Sequence, residues 1–497
     1  MSCIRFSHTQ QQNDTFRKLM SKQLKLQHLL WRAGFGPEAA SWPQWERLDE
    51  SAWWPKLKAN AVAPPDYFDL VDNAVRGLLM GLDELGKMER KNELSKEQKK
   101  QLKQQSREDL QSLNLRWLDE MVQTNAQLRE KMALFWHGHF ASRNLNILYQ
   151  QQLLHIVRTH ALGNFGDLLR AVSKSAAMLA FLNSQQNKKQ HPNENFAREV
   201  MELFTLGRGH YTETDIKEAA RAFTGWGFKL DGEFVFRKFF HDAGVKTVLG
   251  KSGVFDGDDM LNILLEHRQT AYFITRKLYR FLVCEEALPE ERLRRLGDRF
   301  FDSGYDIMSL LDAIFTADWF FNMENIGCRI KSPVELWAGI RRTLPMTFED
   351  PGGQLLLQKA LGQVLFYPPN VAGWPGGRNW IDSTSLMLRL RLPHIVAAQD
   401  ALELNPKDDD DQIMGQMRSG RLQKRLAAGV NWQPLTDIFS AIAETEMLDK
   451  TARYLWQTPV ANLPQQVLQN HTDQSSKEQF IKTAAIQLMA TPEYQLC

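Results

Sequence analysis

Residues 191–226, HPNENFAREVMELFTLGRGHYTETDIKEAARAFTGW, predict two consecutive helices. In the first helix, Phe196 and Val200 have the spacing of a buried helical face, and further apolar residues continue it. In the second, Thr212 and Asp215 have the spacing of a capping box, which favours a helix start at Thr212. Each helix is therefore expected to bury one face in a larger helical body.

Helical spacing of apolar residues recurs over most of the chain, and one segment departs from it. Residues 226–250 alternate apolar and polar side chains and contain the pair Asp231-Gly232, which is typical of a hairpin turn. A third short strand is predicted near residues 246–249. The sequence thus predicts a mainly α fold: a large multi-helix globular body with a small β-hairpin or three-stranded sheet insertion near 226–250.

Composition along the chain predicts four regions. An N-terminal helical region covers residues 1–86, and residues 87–113 form a charged helix or a mobile insertion with almost no apolar stripe. A core helical domain with the small β element covers residues 114–400. Residues 401–497 form a C-terminal helical region after the acidic linker NPKDDDDQ.

Charge and composition argue against several classes of protein. The chain of 497 residues has 61 Lys and Arg against 59 Asp and Glu, so it lacks the basic excess of a nucleic-acid-binding protein. The four cysteines are scattered and indicate neither a zinc knuckle nor a disulfide framework. The N-terminal sequence lacks the apolar core of an export signal, and no window is apolar enough for a membrane span. A cytoplasmic protein is therefore expected.

The first helix of the opening stretch carries polar residues beside its buried face. Asn195, Glu199 and Glu202 recur at i, i+4 and i+7, while Glu194 and Arg198 form an i, i+4 pair. Glu199 lies nearest the apolar edge, so it is the carboxylate expected to be half-buried. Such a carboxylate must be paired, hydrogen-bonded, metal-bound or protonated. Helix capping and surface ion pairs explain these residues about as well as catalysis does.

Two further motifs contain groups that bind metal ions or transfer protons. FWHGHF contains His137 and His139 between aromatic residues, and satisfied core histidines are the simpler interpretation. HDAGVKTVLG contains His241 and Asp242, which could serve one site if the chain turns after them. The alternative is that Asp242 caps the turn and His241 packs against its neighbours. Arg221 is expected to form a salt bridge.

Several long blocks of sequence, in a fixed order, carry a resemblance to a known family. They are LLWRAGFGP, MALFWHGHF, MLAFLNSQQNKKQHPNENFAREVMELFTLGRGHYTETDIKEAARAFTGW, FHDAGVKTVLG, GDDMLNILLEHRQTAYFITRKLYRFLV, GQVLFYPPNVAGWPGGRNWID and LMATPEYQLC. They resemble the successive blocks of the bacterial family called domain of unknown function 1800. The resemblance covers nearly the whole chain and implies a mostly helical fold, but it implies no activity.

The resemblance also suggests a partner and a second location. Members of the family are often encoded beside domain of unknown function 1501 proteins, which resemble sulfatases and phosphatases and usually carry an export signal. Many members of the present family carry one too, whereas this sequence departs by lacking it. Co-export to the periplasm with such a partner is therefore the alternative to a cytoplasmic location.

Two functional hypotheses follow. The first is an enzyme, a metal-dependent hydrolase or oxidoreductase, in which a divalent metal ion in one polar pocket polarises the substrate or activates water. The candidate catalytic residues are Glu199, Asn195, Arg198 and Glu202, and the candidate metal ligands are His137, His139, His241 and Asp242. Asn195 and Arg198 would orient an anionic or hydroxyl-rich substrate, and Glu199 would also contact the metal. The second hypothesis is a non-catalytic partner of a domain of unknown function 1501 protein, docked through the aromatic loop YPPNVAGWPGGRNW.

Overall fold

The structure is a computed structural model, and most of the chain is described in it. The described residues are 20–71, 96–285, 288–398, 401–402, 424–426, 428–460 and 465–497. Residues 87–95 of the predicted charged segment and the acidic linker NPKDDDDQ lie outside the described residues. Within them the chain is mainly helical, as predicted, and buried apolar residues form a cluster that extends from Leu26 to Tyr494.

The first half of the chain contains the helices that carry most of the predicted site residues. They are α1 (Lys22–Arg32), α2 (Trp42–Arg47), α3 (Glu50–Asn60), α4 (Lys96–Gln123), α5 (Gln127–His139), α6 (Ile147–His160), α7 (Phe165–Ser173), α8 (Ala176–Phe181), α9 (Asn195–Glu199) and α10 (Glu213–Ala222). Every residue of α5 except Gly138 is buried, so this helix runs through the interior. Asparagine side chains, Asn146 and Asn164, cap the starts of α6 and α7 by accepting backbone hydrogen bonds.

The second half continues the helical body. Its helices are α11 (Gly257–Glu266), α12 (Arg268–Leu282), α13 (Glu290–Asp302), α14 (Ile307–Phe315), α15 (Pro333–Thr343), α16 (Gly352–Leu361), α17 (Ser383–Ala398), α18 (Gln433–Phe439), α19 (Glu444–Leu455), α20 (Gln465–Asn470) and α21 (Lys477–Met489). Capping boxes start α11 at Asp256 and α15 at Ser332. Among the described helices, none combines the length and apolar character needed to cross a lipid bilayer.

The strands are short and pair two by two. They are β1 (Trp226–Phe228), β2 (Phe234–Phe236), β3 (Lys246–Val248), β4 (Lys251–Gly253), β5 (Met346–Phe348), β6 (Ala401–Leu402), β7 (Lys424–Arg425) and β8 (Ala428–Val430). The antiparallel pairs are β1 with β2, β3 with β4, β5 with β8 and β6 with β7.

The hairpin predicted near residues 226–250 is confirmed, and the three-stranded alternative is wrong. The predicted third strand forms as β3, but it pairs with β4 instead of joining β1 and β2. The reason lies in the turn, because Leu249 and Gly250 have φ angles of 48° and 79°. Two consecutive positive φ angles are typical of a two-residue hairpin turn, so β3 folds back onto the residues that follow it.

Residues 191–226 form the two predicted helices, but the first helix changes from α-helix to π-helix along its length. The α-helical part ends at Glu199, and a π-helix follows over Val200–Thr205. In this π-helix the Leu206 N–H donates to the Met201 carbonyl at 2.9 Å, five residues back. The second helix starts with the predicted capping box of Thr212 and Asp215. Turns of π-helix are rare and frequently occur at functional sites, so the carboxylates around this one are candidate functional groups.

Candidate functional site

His137 is a buried core histidine. Its Nε2 accepts a hydrogen bond from the Phe366 backbone N–H at 3.1 Å, and its ring packs 5.1 Å from Trp117 and 5.4 Å from Trp374. Burial lowers the pKa of His137 to about 3, so the imidazole is neutral. Trp374 and the buried Trp380 belong to the aromatic loop that was expected to dock a partner. In the structure Trp374 packs on His137 and Trp380 is buried, and the docking role of the loop stays a prediction.

His139 uses both ring nitrogens within the protein. Its Nε2 donates to the Phe204 carbonyl at 3.2 Å, and its Nδ1 accepts from the Lys277 ammonium at 2.9 Å. Burial and the Lys277 charge hold the pKa of His139 well below its usual value, and burial lowers the pKa of Lys277 to about 8. His139 therefore links α5 and α12 to the C-terminal end of the π-helix. Lys277 was not predicted from the sequence, although a lysine between Ile274 and Leu278 on a buried helical face was a usable signal.

His241 and Asp242 lie at a turn, and Arg221 near the end of α10 binds Asp242. Both carboxylate oxygens of Asp242 accept from Arg221, at 2.7 and 3.2 Å, so the predicted salt bridge of Arg221 is confirmed. These hydrogen bonds lower the pKa of Asp242. Asp242 also accepts from the Gly244 N–H at 2.8 Å, and His241 Nδ1 lies 3.0 Å from the Thr224 carbonyl. The turn-capping interpretation therefore describes Asp242.

The start of α9 is occupied by capping and ion pairs. The predicted pair forms at 3.1 Å between Arg198 and Glu194, and Arg198 also binds Glu213 at 2.7 Å. Asn193 accepts a hydrogen bond from the backbone N–H of Asn195 at 3.0 Å, which satisfies one free donor of the helix start. The Asn195 side chain is exposed to solvent.

Glu199 and Glu202 have opposite environments although they lie three residues apart. Glu202 accepts from the Tyr211 hydroxyl and from Arg208 Nε, both at 2.5 Å. The hydrogen bond from Tyr211 lowers the pKa of Glu202, and the pKa of Tyr211 rises to about 12. Glu199 is half-buried and has no hydrogen-bond partner among the described residues. Burial, reinforced by the charge of Glu202, raises the pKa of Glu199.

The two hydrogen-bond partners of Glu202 were not predicted from the sequence. Tyr211 and Arg208 lie in LGRGHYT, the connection between α9 with its π-helix and α10. Two glycines, Gly207 and Gly209, have φ angles of 82° and 84° there, which turns the chain back toward the π-helix. Glycines at a helix end were a local signal of this reversal, and they explain how a tyrosine nine residues away reaches Glu202.

The structure does not bring the predicted metal ligands into one set. His137, His139, His241 and Asp242 each bind a different protein group, as described above. Within the described ranges, no group of three or more His, Cys, Asp or Glu side chains is arranged to hold a metal ion. As arranged, these residues do not fit a shared divalent ion, and the carboxylates of Glu199 and Glu202 remain as the candidate reactive pair.

Comparisons with known proteins identify a family. Neither the curated proteins nor the solved structures include a match to this chain. A sequence model of the family described as "Protein of unknown function (DUF1800)" matches residues 28–496. This range includes the π-helix, both carboxylates of the candidate pair and every predicted metal ligand. The chain therefore belongs to the DUF1800 family.

Proposed function

We propose that this protein is a hydrolase in which Glu199 and Glu202 act as an acid and a base. The observation that carries the proposal is the contrast between their surroundings: Glu202 accepts hydrogen bonds from Tyr211 and Arg208, whereas Glu199 is half-buried without a donor among the described residues. These surroundings move the two pKa values in opposite directions, upward for Glu199 and downward for Glu202. Neighbouring carboxyl groups with separated pKa values are the usual arrangement for one protonated acid beside one ionised base. Such a pair supports proton transfer, so it favours hydrolysis over oxidation.

Each carboxyl group has one role in the proposed reaction. Glu199, in its protonated form, donates a proton to the leaving-group oxygen as the scissile bond breaks. Glu202 is ionised and accepts a proton from the attacking water, whose oxygen forms the new bond. Proton exchange with solvent then restores both groups. Tyr211 and Arg208 act as positioning residues, because their hydrogen bonds keep Glu202 ionised and fix its orientation.

The charges around the pair favour a neutral, hydroxyl-rich substrate. Three ionised carboxylates lie here, Glu194, Glu202 and Glu213, and the two arginines that pair with them are Arg198 and Arg208. Both arginines are therefore already paired with carboxylates, which leaves neither of them free to bind an anionic substrate. Arg198 already binds two carboxylates, and the amide of Asn195 is free to bind a hydroxyl group. We therefore propose a sugar-like substrate in place of the anionic alternative.

Hydrolysis of nitrophenyl glycosides and nitrophenyl esters by the purified protein tests this proposal. Glu199→Gln and Glu202→Gln should each reduce kcat by at least about 100-fold, the usual contribution of a general acid or base. Glu213→Gln is the matched control, since Glu213 binds Arg198 outside the pair, and its kcat should change less than about threefold. Full activity of Glu199→Gln would rule out the assigned role, as would equal losses in all three variants.

The predicted divalent metal is tested separately. Elemental analysis of the purified protein should find no stoichiometric metal bound through His137, His139, His241 and Asp242, because their hydrogen bonds and ion pairs compete with metal coordination. If Glu199→Ala and His139→Ala each release one equivalent of a divalent ion, the metal-dependent form of the enzyme hypothesis is the correct one.

One surface feature favours the second candidate function, a binding partner. Phe239 is 75% exposed, and the ammonium of Lys189 lies 4.9 Å from its ring centroid. Lys188 lies 4.6 Å from the ring of Phe240 in the same way. Two neighbouring aromatic rings, each with a lysine over it, suit an acidic protein surface, and we propose a neighbouring domain of unknown function 1501 protein as that partner.

Co-expression of the two proteins tests the partner role. Phe239→Ser should abolish co-purification, whereas Val254→Ser, at another exposed apolar residue (62% exposed), should leave it intact. Fractionation of the same cells tests co-export, because a periplasmic complex is expected only when the signalled partner is present. Co-purification that is equal for both variants would argue against this surface as the interface.

A further inference from the structure

Two cysteines that are far apart in the sequence meet in the structure. Cys284 follows α12, and Cys328 lies in the segment between α14 and α15. Both are free cysteines, and their thiol groups are hydrogen-bonded to each other. The cysteines are scattered along the sequence, so only tertiary packing brings these two together. Neither belongs to the Glu199–Glu202 pair or its partners, and the two thiols therefore form a second chemical site.

Backbone contacts fix the position of the Cys328 thiol beside Cys284. Cys328 Sγ lies 3.2 Å from the Val283 carbonyl oxygen and 3.2 Å from the Asn325 carbonyl oxygen. The Val283 carbonyl belongs to the peptide bond that leads into Cys284, so the Cys328 sulfur lies within one peptide unit of the Cys284 Cα. A disulfide requires this closeness, since the Cα atoms that it links are about 4.4–6.8 Å apart. A small rotation of the side chains therefore brings the two sulfurs to bonding distance.

The surroundings make Cys328 the first of the two thiols to meet an oxidant. Cys328 is only partly buried, whereas Cys284 is 8% exposed. The guanidinium of Arg32 donates from Nη2 to Cys328 Sγ at 3.5 Å, and a positive charge there stabilises the thiolate that attacks an oxidant. The hydrogen bond with Cys284 and burial act in the opposite direction and raise the pKa of the Cys328 thiol. Cys328 is therefore protonated at neutral pH, and slow oxidation of the pair is expected.

We propose that Cys284 and Cys328 are a redox modification site that closes to a disulfide bond in an oxidising compartment. The oxidant is a low-molecular-weight disulfide of the glutathione class. Cys328 loses its proton, and its sulfur attacks the disulfide of the oxidant, which releases one thiol and leaves a mixed disulfide on Cys328. Cys284 then loses its proton and attacks the Cys328 sulfur, which releases the second thiol. The protein thus loses two electrons and two protons, and the oxidant gains them as two thiols.

The bond would tie the end of α12 to the segment before α15. α13 and α14 lie in the loop that it closes, and such a cross-link stabilises the protein mainly by restricting the unfolded chain. For a closed loop of this length in a chain of 497 residues, the thermal midpoint should rise by about 2–4 °C. Disulfides form in compartments such as the periplasm and are rare in the cytoplasm, so the pair is expected to be oxidised only where the protein is exported.

Oxidation of the purified full chain with oxidised glutathione tests the proposal. After denaturation and alkylation, two of the four cysteines should be protected from the alkylating reagent, and peptide mass mapping should find Cys284 linked to Cys328. The thermal midpoint of the oxidised protein should lie about 2–4 °C above that of the reduced protein. Dithiothreitol should reverse both changes.

Cysteine variants separate this bond from other thiol chemistry. Cys284→Ser and Cys328→Ser should each lose the linked peptide and the rise in thermal midpoint, and Cys328→Ala repeats the test without a hydroxyl group. Cys497→Ser removes another buried cysteine and is the matched control, which should retain both. The proposal is overturned if all thiols of the oxidised protein remain free, if Cys328 links to Cys497 or Cys3 instead, or if Cys284→Ser keeps the rise. Glu199→Gln should form the bond unchanged, which separates this site from the proposed hydrolysis.

Discussion

Two regions of the molecule place a glutamate against apolar surroundings, and they differ in the partners that they provide for its carboxyl group. Glu335 in α15 is fully buried, and its carboxylate binds the Lys131 ammonium, the Ser332 backbone N–H at 2.8 Å and, at 3.5 Å, Arg329. Glu199 at the end of α9 is only half-buried, and no described residue donates a hydrogen bond to it. The more buried glutamate therefore has all the partners, and the less buried one has none.

This difference shows that partners, more than burial, decide the charge state. Burial alone would raise the pKa of Glu335, but Lys131 and Arg329 outweigh it, so its pKa lies far below the usual range. The same burial effect is not offset at Glu199, and its pKa rises. A buried carboxylate whose hydrogen-bond and ion-pair partners are all present indicates a structural role. A carboxylate that lacks such partners and lies beside a second carboxylate indicates proton transfer.

The largest expected loss of stability comes from a substitution that disrupts the buried ion group of Glu335, Lys131 and Arg329. Glu335→Gln removes the negative charge that balances Lys131 and Arg329, and the free energy of unfolding should fall by about 3–5 kcal/mol. Urea denaturation measures this change. The double variant Glu335→Leu with Lys131→Met should recover part of the loss, because it also removes a cation. A loss below about 1 kcal/mol for Glu335→Gln would show that the buried ions are not coupled.

An intermediate effect is expected for Lys277, a buried cation whose main partner is a neutral histidine. Its pKa of about 8 lies below the ordinary value, so between about pH 8 and 10.5 the unfolded chain binds more protons than the native one. The stability of the protein should therefore rise with pH over this window relative to Lys277→Met, by about 2 kcal/mol. Parallel stability curves of the two proteins from pH 7 to 10.5 would contradict the assignment.

A smaller effect is expected when one partner of Glu202 is removed. Tyr211→Phe deletes the hydrogen bond that lowers the pKa of Glu202, so this pKa should rise toward the ordinary glutamate value. The pKa that is read from the acidic limb of any pH–rate profile should also rise. Arg208→Ala is the comparison, and its effect should be smaller because the Arg208 side chain is 87% exposed and screened by water.

The smallest expected effect is a gain in stability. The folded-state pKa of Glu199 is raised, so its ionised form destabilises the native state above the unfolded pKa, and this cost disappears below it. Glu199→Gln should therefore stabilise the protein by about 0.5 kcal/mol at pH 7, after allowance for solvent screening, and by nothing below about pH 4. Thermal denaturation at both pH values measures the difference. Destabilisation at pH 7 would indicate a structural role for the carboxylate.

Local interactions account for what the sequence predicted correctly. The capping box at Thr212, the pair of Glu194 with Arg198 and the turn at Asp231-Gly232 each involve residues up to four positions apart. Their geometry follows from helix and hairpin spacing alone. The half-burial of Glu199 also followed from its position beside the apolar face.

The remaining features depend on residues far apart in sequence. His139 meets Lys277 across 138 positions, and Lys131 meets Glu335 across 204. Such contacts follow from the packing of whole helices, which periodicity does not specify. The π-helix was missed for another reason: one extra residue per turn alters the apolar spacing too little to be recognised in a six-residue segment.

The separation of the two carboxyl pKa values is measured most directly by NMR. Protein labelled with ¹³C at the glutamate carboxyl groups would be titrated from pH 2 to 9, with Glu199→Gln and Glu202→Gln used to assign the signals. Glu199 should titrate above the ordinary glutamate range near 4.3, and Glu202 should titrate below it. Titration of both groups at the ordinary value, or in the reverse order, would contradict the assignment of Glu199 as the acid and Glu202 as the base.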